Sequence, residues 1–239
     1  MAIIIEDEET TTKQDSLTDS LQSIQNDMQT LANAQPATNM QVEHLFACGV
    51  YRVPEPRFLE VVSSVHKEYI SKIKKENPQI LKTVYPTVMT ENLLQDPRLA
   101  EFTEFVAKTS WEVLNNQGYN MAIYEMFYFD MFGQEHYKYS GHDTHTHPGA
   151  QITGFYFLEC PENSCRPVFQ DPRPAKYYAH LQEANPMMAT LSSNEINYQP
   201  NAGDFFFTNS WLPHSFTRNA NVKPFKFIHF SLGVSYKPQ

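Results

Sequence analysis

The chain has 239 residues, 18 basic against 27 acidic side chains, and a formal net charge of -9. That length suffices for one large core, and the acidic balance argues against a phosphate-backbone binder, so nucleic acid is not the expected partner. No apolar run reaches the length of a membrane span. The three cysteines, Cys48, Cys160 and Cys165, make neither an even disulfide framework nor a C-x-x-C pair, which points to a reducing, cytoplasmic setting.

Residues 1–40 are expected to form a flexible acidic leader, because they are polar and lack Phe, Trp and Tyr. Residues 1–35 hold seven acidic side chains against Lys13 alone. Within the leader, Leu17, Leu21, Ile24, Met28 and Leu31 recur at helical spacing and predict a short amphipathic helix. Residues 41–239 are expected to form one domain. Phe58, Val62, Val65, Tyr69 and Ile73 predict a first helix there. A second helix is bounded by Asp96 as cap, Pro97 at the first position and Gly118 beyond its end, with Leu99, Phe102, Val106, Val113 and Leu114 as the apolar face. After Gly118 the texture changes to aromatic-rich strands at 121–132, 151–159, 195–199, 203–209 and 224–236. Helices first and strands afterwards predict an α+β fold with a barrel or sandwich in the second half.

Four of the nine histidines lie between positions 136 and 147. In an extended strand His145 and His147 share a face and can grip one ion, and His214 follows a later strand. Imidazole suits zinc, iron, copper and nickel, and three inward ligands with open positions suit catalysis. Asp143 shares the His145 face and is the alternative ligand. His44, His66, His180 and His229 read as surface or packed residues, and Asp204 and Arg173 as turn or structural ones.

The order of H-x-H-P at 145–148, G-F-Y-F-L at 154–158, D-P-R-P at 171–174 and G-D-F with S-W-L-P-H between 203 and 214 resembles the 2-oxoglutarate and Fe(II)-dependent oxygenases, a group also found in phages. The resemblance implies a double-stranded β-helix, or jelly-roll, barrel supported by N-terminal helices, with Fe(II) as metal and 2-oxoglutarate as cosubstrate. It implies hydroxylation of a small-molecule or peptidyl substrate in the cytoplasm, that of a host cell if the gene is phage-borne. Position by position, His145 is the first ligand, His147 stands in the slot usually held by a carboxylate, and His214 is the distal ligand. The triad is therefore either three imidazoles or a set that includes Asp143. The same resemblance assigns the far carboxylate of 2-oxoglutarate to a cation after the distal histidine, Lys226 or alternatively Arg218. Two other readings stay open: a cupin-type metalloenzyme working without 2-oxoglutarate, with Gln151 where its motif has Glu, and a non-enzymatic virion or assembly barrel.

Overall fold

The computed structural model describes residues 41, 43–178 and 181–237. The expected leader helix lies outside the described residues. The chain divides after Ala47, and Cys48–Gln239 forms the compact unit that carries His145, His147 and His214. In chain order its elements are β1 (Val50–Pro54), α1 (Leu59–Glu76), β2 (Thr87–Met89), α2 (Ala100–Asn116), β3 (Tyr124–His136), β4 (His142–His145), β5 (Ile152–Glu159), β6 (Pro167–Gln170), β7 (Glu195–Asn197), β8 (Asp204–Asn209), β9 (His214–Phe216) and β10 (Phe225–Tyr236). A six-stranded sheet in the order β1-β8-β5-β10-β3-β2 faces a four-stranded sheet in the order β4-β9-β6-β7. Every pairing is antiparallel. This is the double-stranded β-helix, with α1 and α2 on the outer face of the larger sheet.

The second helix forms as its signals dictate. A 3-10 turn at Pro97–Leu99 leads into it, and the Asp96 carboxylate accepts a hydrogen bond from the Arg98 amide at 3.0 Å. Gly118 closes it with φ +93°, a conformation that a side chain would oppose. Phe102, Val106, Val113 and Leu114 are buried. In α1 the buried stripe is Val62, Val65, His66 and Ile70, so His66 is turned inward with 2% exposure.

Strict alternation along the central strands sorts the aromatic residues into two cores. Tyr156, Leu158, Phe205, Phe207, Ile228, Phe230 and Leu232 pack under the helices. Their neighbours Phe155, Phe157, Phe206, Phe225 and Phe227 point into the barrel and meet Phe169 and Phe216 of the smaller sheet. Burying both faces is what makes FFF at 205–207 a central strand. Each buried phenyl stabilises by roughly 2–3 kcal/mol.

Gly154, between β8 and β10, has no space for a side chain: an added Cβ would collide with the Phe230 ring and the Phe206 carbonyl. Gly154→Ala is expected to cost about 3 kcal/mol through overpacking against backbone. Urea unfolding would check this, and an unchanged midpoint would show that the strands can part.

Two buried histidines outside the triad make stability depend on pH. Burial pushes His66 down to about 4, with Glu135 opposing, and pushes His136 down to about 3, with His142 and Arg218 adding to the effect. Their proton affinity is higher in the unfolded chain, so the stabilisation is complete above pH 6.5 and is lost as pH falls toward those values. At pH 5 each should cost about 2 kcal/mol relative to neutral pH. His66→Gln should shrink the loss between pH 7.5 and pH 5 by that amount in urea titrations; an identical pH slope would contradict the assignment.

Candidate metal centre

β4 ends at His145, and its ladder with β9 places His145 directly opposite His214. His147 lies just past the strand, where its amide donates to the Ser210 carbonyl at 2.9 Å and so ties it to the turn that precedes His214. Nitrogen atoms of His145, His147 and His214 all fall within 4.8 Å of one another. The Nε2 atoms of His147 and His214 are 3.3 Å apart. Two nitrogens each about 2.1 Å from one ion lie roughly 3.0–3.4 Å apart, so this spacing is that of shared coordination.

Neighbouring carbonyls set the tautomers. The His214 Nδ1–H donates to the Leu212 carbonyl at 2.9 Å, and the His145 Nδ1–H to the Asp143 carbonyl at 2.8 Å. Each ring therefore keeps its lone pair on Nε2, and the second bond fixes the ring's direction. Burial holds His214 and His147 near 3, helped by the surrounding imidazoles. Both are neutral near pH 7 and ready to donate to a cation, so the donor set fits a divalent transition metal.

Around this centre the imidazoles form a row. His142 lies against His145 with ring centroids 4.3 Å apart, and His136 stacks beyond it at 6.3 Å. On the other side His229 stacks on His147 at 4.6 Å. Its Nε2 meets the Thr153 hydroxyl at 3.1 Å, and the Asp130 carboxylate approaches Nδ1 to 3.3 Å without reaching hydrogen-bond geometry. Sequence reasoning set His229 aside. A polar residue on the same strand face as Phe225 and Phe227 was the available signal.

The remaining candidates fall elsewhere. The Asp143 carboxylate is 93% exposed and pairs with Arg218 at 3.1 Å, so only its backbone carbonyl serves the centre. The register shift between His142 and His145 breaks the alternation that would have turned the side chain inward. Lys226 points to the helix side, because Phe225 and Phe227 occupy the inward positions flanking it. Its Nζ is 2.6 Å from Glu159 and 3.9 Å from Glu135, on a cavity of about 150 Å³ bordered by Ser63, His66 and Lys67 of α1. It is not brought to the histidines. Arg218 lies two residues past Phe216, whose ring is inside the barrel; its charge helps lower His136, and its guanidinium sits over Tyr85. Gln151 accepts from the Val234 amide at 3.0 Å, so it does not act as a cupin glutamate would. Asp204 pairs with Arg52 and Arg173 with Asp171, as structural residues do.

The comparisons agree with this geometry. The family model described as putative 2OG-Fe(II) oxygenase matches residues 134–224, the stretch that contains all three histidines. No curated protein matches the chain. Among solved structures, AviO1 from Streptomyces viridochromogenes Tue57 aligns with a TM-score of 0.54 at 12% identity, covering 80% of this chain and 92% of that one. A Pseudomonas putida prolyl-4-hydroxylase aligns at 0.50 and 11%, covering 78% and 92%. HygX from Streptomyces hygroscopicus, with nickel and 2-oxoglutarate bound, aligns at 0.50 and 11%, covering 78% and 83%. At such identities these structures speak for the fold. The chain thus resembles the putative 2OG-Fe(II) oxygenases in sequence across its histidine-bearing strands, and the surrounding double-stranded β-helix is the fold it shares with these solved structures.

Proposed function

We propose that this Fe(II)- and 2-oxoglutarate-dependent dioxygenase holds its iron with His145, His147 and His214 and pairs the far carboxylate of 2-oxoglutarate with Arg218. The observation that carries the reading is the convergence of three imidazoles whose nitrogens lie within 4.8 Å of one another. Bound iron and 2-oxoglutarate together supply the oxygen chemistry, in which the cosubstrate leaves as succinate and CO2 and a substrate C–H bond is hydroxylated.

The protein's part follows from its own residues. The Leu212 and Asp143 carbonyls hold His214 and His145 in the donating tautomer. Three neutral ligands leave the whole 2+ charge on the ion, which strengthens its hold on a dianionic cosubstrate relative to a site with a carboxylate ligand. Phe155, Phe169 and Phe216 keep the inner side of the centre dry. Arg218 is favoured over Lys226 because Lys226 faces the helix side and pairs there with the buried Glu135 and with Glu159, whereas the partner of Arg218 is the solvent-exposed Asp143, and because a guanidinium grips a carboxylate through two parallel bonds.

The substrate is a small molecule or a peptidyl side chain. Three free cysteines are in keeping with a reducing cytoplasm, and no helix among the described residues is long and apolar enough to cross a membrane. The test is succinate formation from 2-oxoglutarate in air. Turnover that needs added Fe(II) and vanishes in His147→Ala is the expected result; succinate no higher than in metal-free controls would refute the proposal.

A further inference from the structure

The inner face of the larger sheet continues beyond the histidines and stays open there. After Asp130, which pairs with Ser231, the ladder of β3 and β10 shifts, and Phe127 then lies opposite Gly233 and Glu125 opposite Ser235. Phe127 and Phe129 pack against each other with centroids 4.9 Å apart, yet they are 39% and 47% exposed. Gly233 makes this possible. A Cβ there would stand 2.6 Å from the Phe127 ring and 2.7 Å from the Phe129 ring, so the edges of both phenyls close over the β10 backbone at this glycine. At its other edge the Phe129 ring comes within 3.8 Å of where a Cβ on Gly149 would be, two residues past His147.

Carboxylates border this aromatic floor. Asp130 stands between Phe129 and His229, with its side chain 40% exposed, and Glu125 lies on the same face beside the Ser235 hydroxyl at 3.3 Å. A phenyl face is negative at its centre and attracts cations, and a carboxylate beside it adds a full charge. Open phenyls alone would accept any apolar group; phenyls with Asp130 at the edge nearest the metal select a positive one. The chain's own residues 1–35 carry a net charge of -6 and have the wrong sign to occupy such a face.

We propose that this face is the substrate platform, and that the substrate carries a basic or quaternary nitrogen held by Asp130 over Phe127 and Phe129, with the carbon to be oxidised reaching the metal past His147. The inference rests on the iron reading of the histidines, and the experiment separates the two.

Full-length protein loaded anaerobically with Fe(II) and 2-oxoglutarate is titrated calorimetrically with three probes that share one ring and differ in charge: benzyltrimethylammonium, benzyl alcohol and phenylacetate. Affinity should fall in that order. Asp130→Asn should weaken the cation about tenfold while leaving the alcohol unchanged, and Phe129→Ser should weaken both. Affinities independent of probe charge, or a cation affinity indifferent to Asp130→Asn, would overturn the platform. So would loss of self-association in Phe129→Ser without any probe binding, which would make the face a contact between copies. The visible absorption of the Fe(II)–2-oxoglutarate chelate is recorded in the same samples. Normal absorption without charge-selective binding sinks this inference alone, whereas selective binding without absorption sinks the iron reading and spares the cation site.

Discussion

Replacing His214 with alanine should abolish stoichiometric Fe(II) binding while the protein keeps its strand signature and its cooperative unfolding. His214 is wholly buried, its Nδ1 is committed to the Leu212 carbonyl, and its Nε2 lies 3.3 Å from that of His147. Only the metal-facing nitrogen is left to act, so truncation removes one of three donors and no hydrogen bond other than that to Leu212. Losing a mere orienting partner of a ligand costs about 10–100-fold in affinity, and losing the ligand itself should exceed that. Folding should survive because β9 retains Phe216 in the inner core and its pairings with β4 and β6. The matched control is Asp143→Ala. Its carboxylate points to solvent and Arg218, so that variant should bind one iron as before. Retained iron in His214→Ala, or lost iron in Asp143→Ala, would rewrite the ligand set; equilibrium dialysis with metal analysis reads both.

The second large effect separates Arg218 from Lys226. Arg218→Ala should weaken 2-oxoglutarate binding about tenfold, the loss of one charge-assisted pair made by a half-exposed guanidinium. The cost should be paid in cosubstrate affinity, with iron content unchanged. Lys226→Ala should leave that affinity alone and lower stability instead, because Glu135 is 4% exposed and Glu159 loses its 2.6 Å contact. Lys74 at 2.6 Å and the Tyr137 hydroxyl still hold Glu135, which limits the loss to about 1–2 kcal/mol. Isothermal titration of 2-oxoglutarate into both iron-loaded variants decides the matter, and the reverse pattern would return the anchor to Lys226.

How far the sequence reaches is clear from these same residues. Periodicity found α2 and its buried face, the Asp96 cap and the terminal Gly118, because those features are local and need no partner. Aromatic strands such as 203–209 and 224–236 were legible for a similar reason, since alternation or continuous apolarity is written into each strand. The strands Val50–Pro54, Thr87–Met89 and Pro167–Gln170 were not, because three to five residues of ordinary composition become strands only when a neighbour supplies the ladder. The spacing of His145, His147 and His214 was visible, and the fold brings those rings together. The facing of Lys226 was not: in a strand with apolar residues on both sides, nothing in the pattern says which face looks inward. The orientation of Asp143 turned on a register shift, and the stacking of His229 on His147 joined residues far apart in the chain. Both belong to tertiary structure.

The most direct test of the account is anaerobic titration of the full-length protein with Fe(II), with and without 2-oxoglutarate, followed by metal analysis and visible spectroscopy. One iron per chain, and a weak visible charge-transfer band that appears only when 2-oxoglutarate is present, is the expected result. Iron bound at that stoichiometry with no band would contradict 2-oxoglutarate chelation, and no iron bound at all would contradict the three-histidine centre itself.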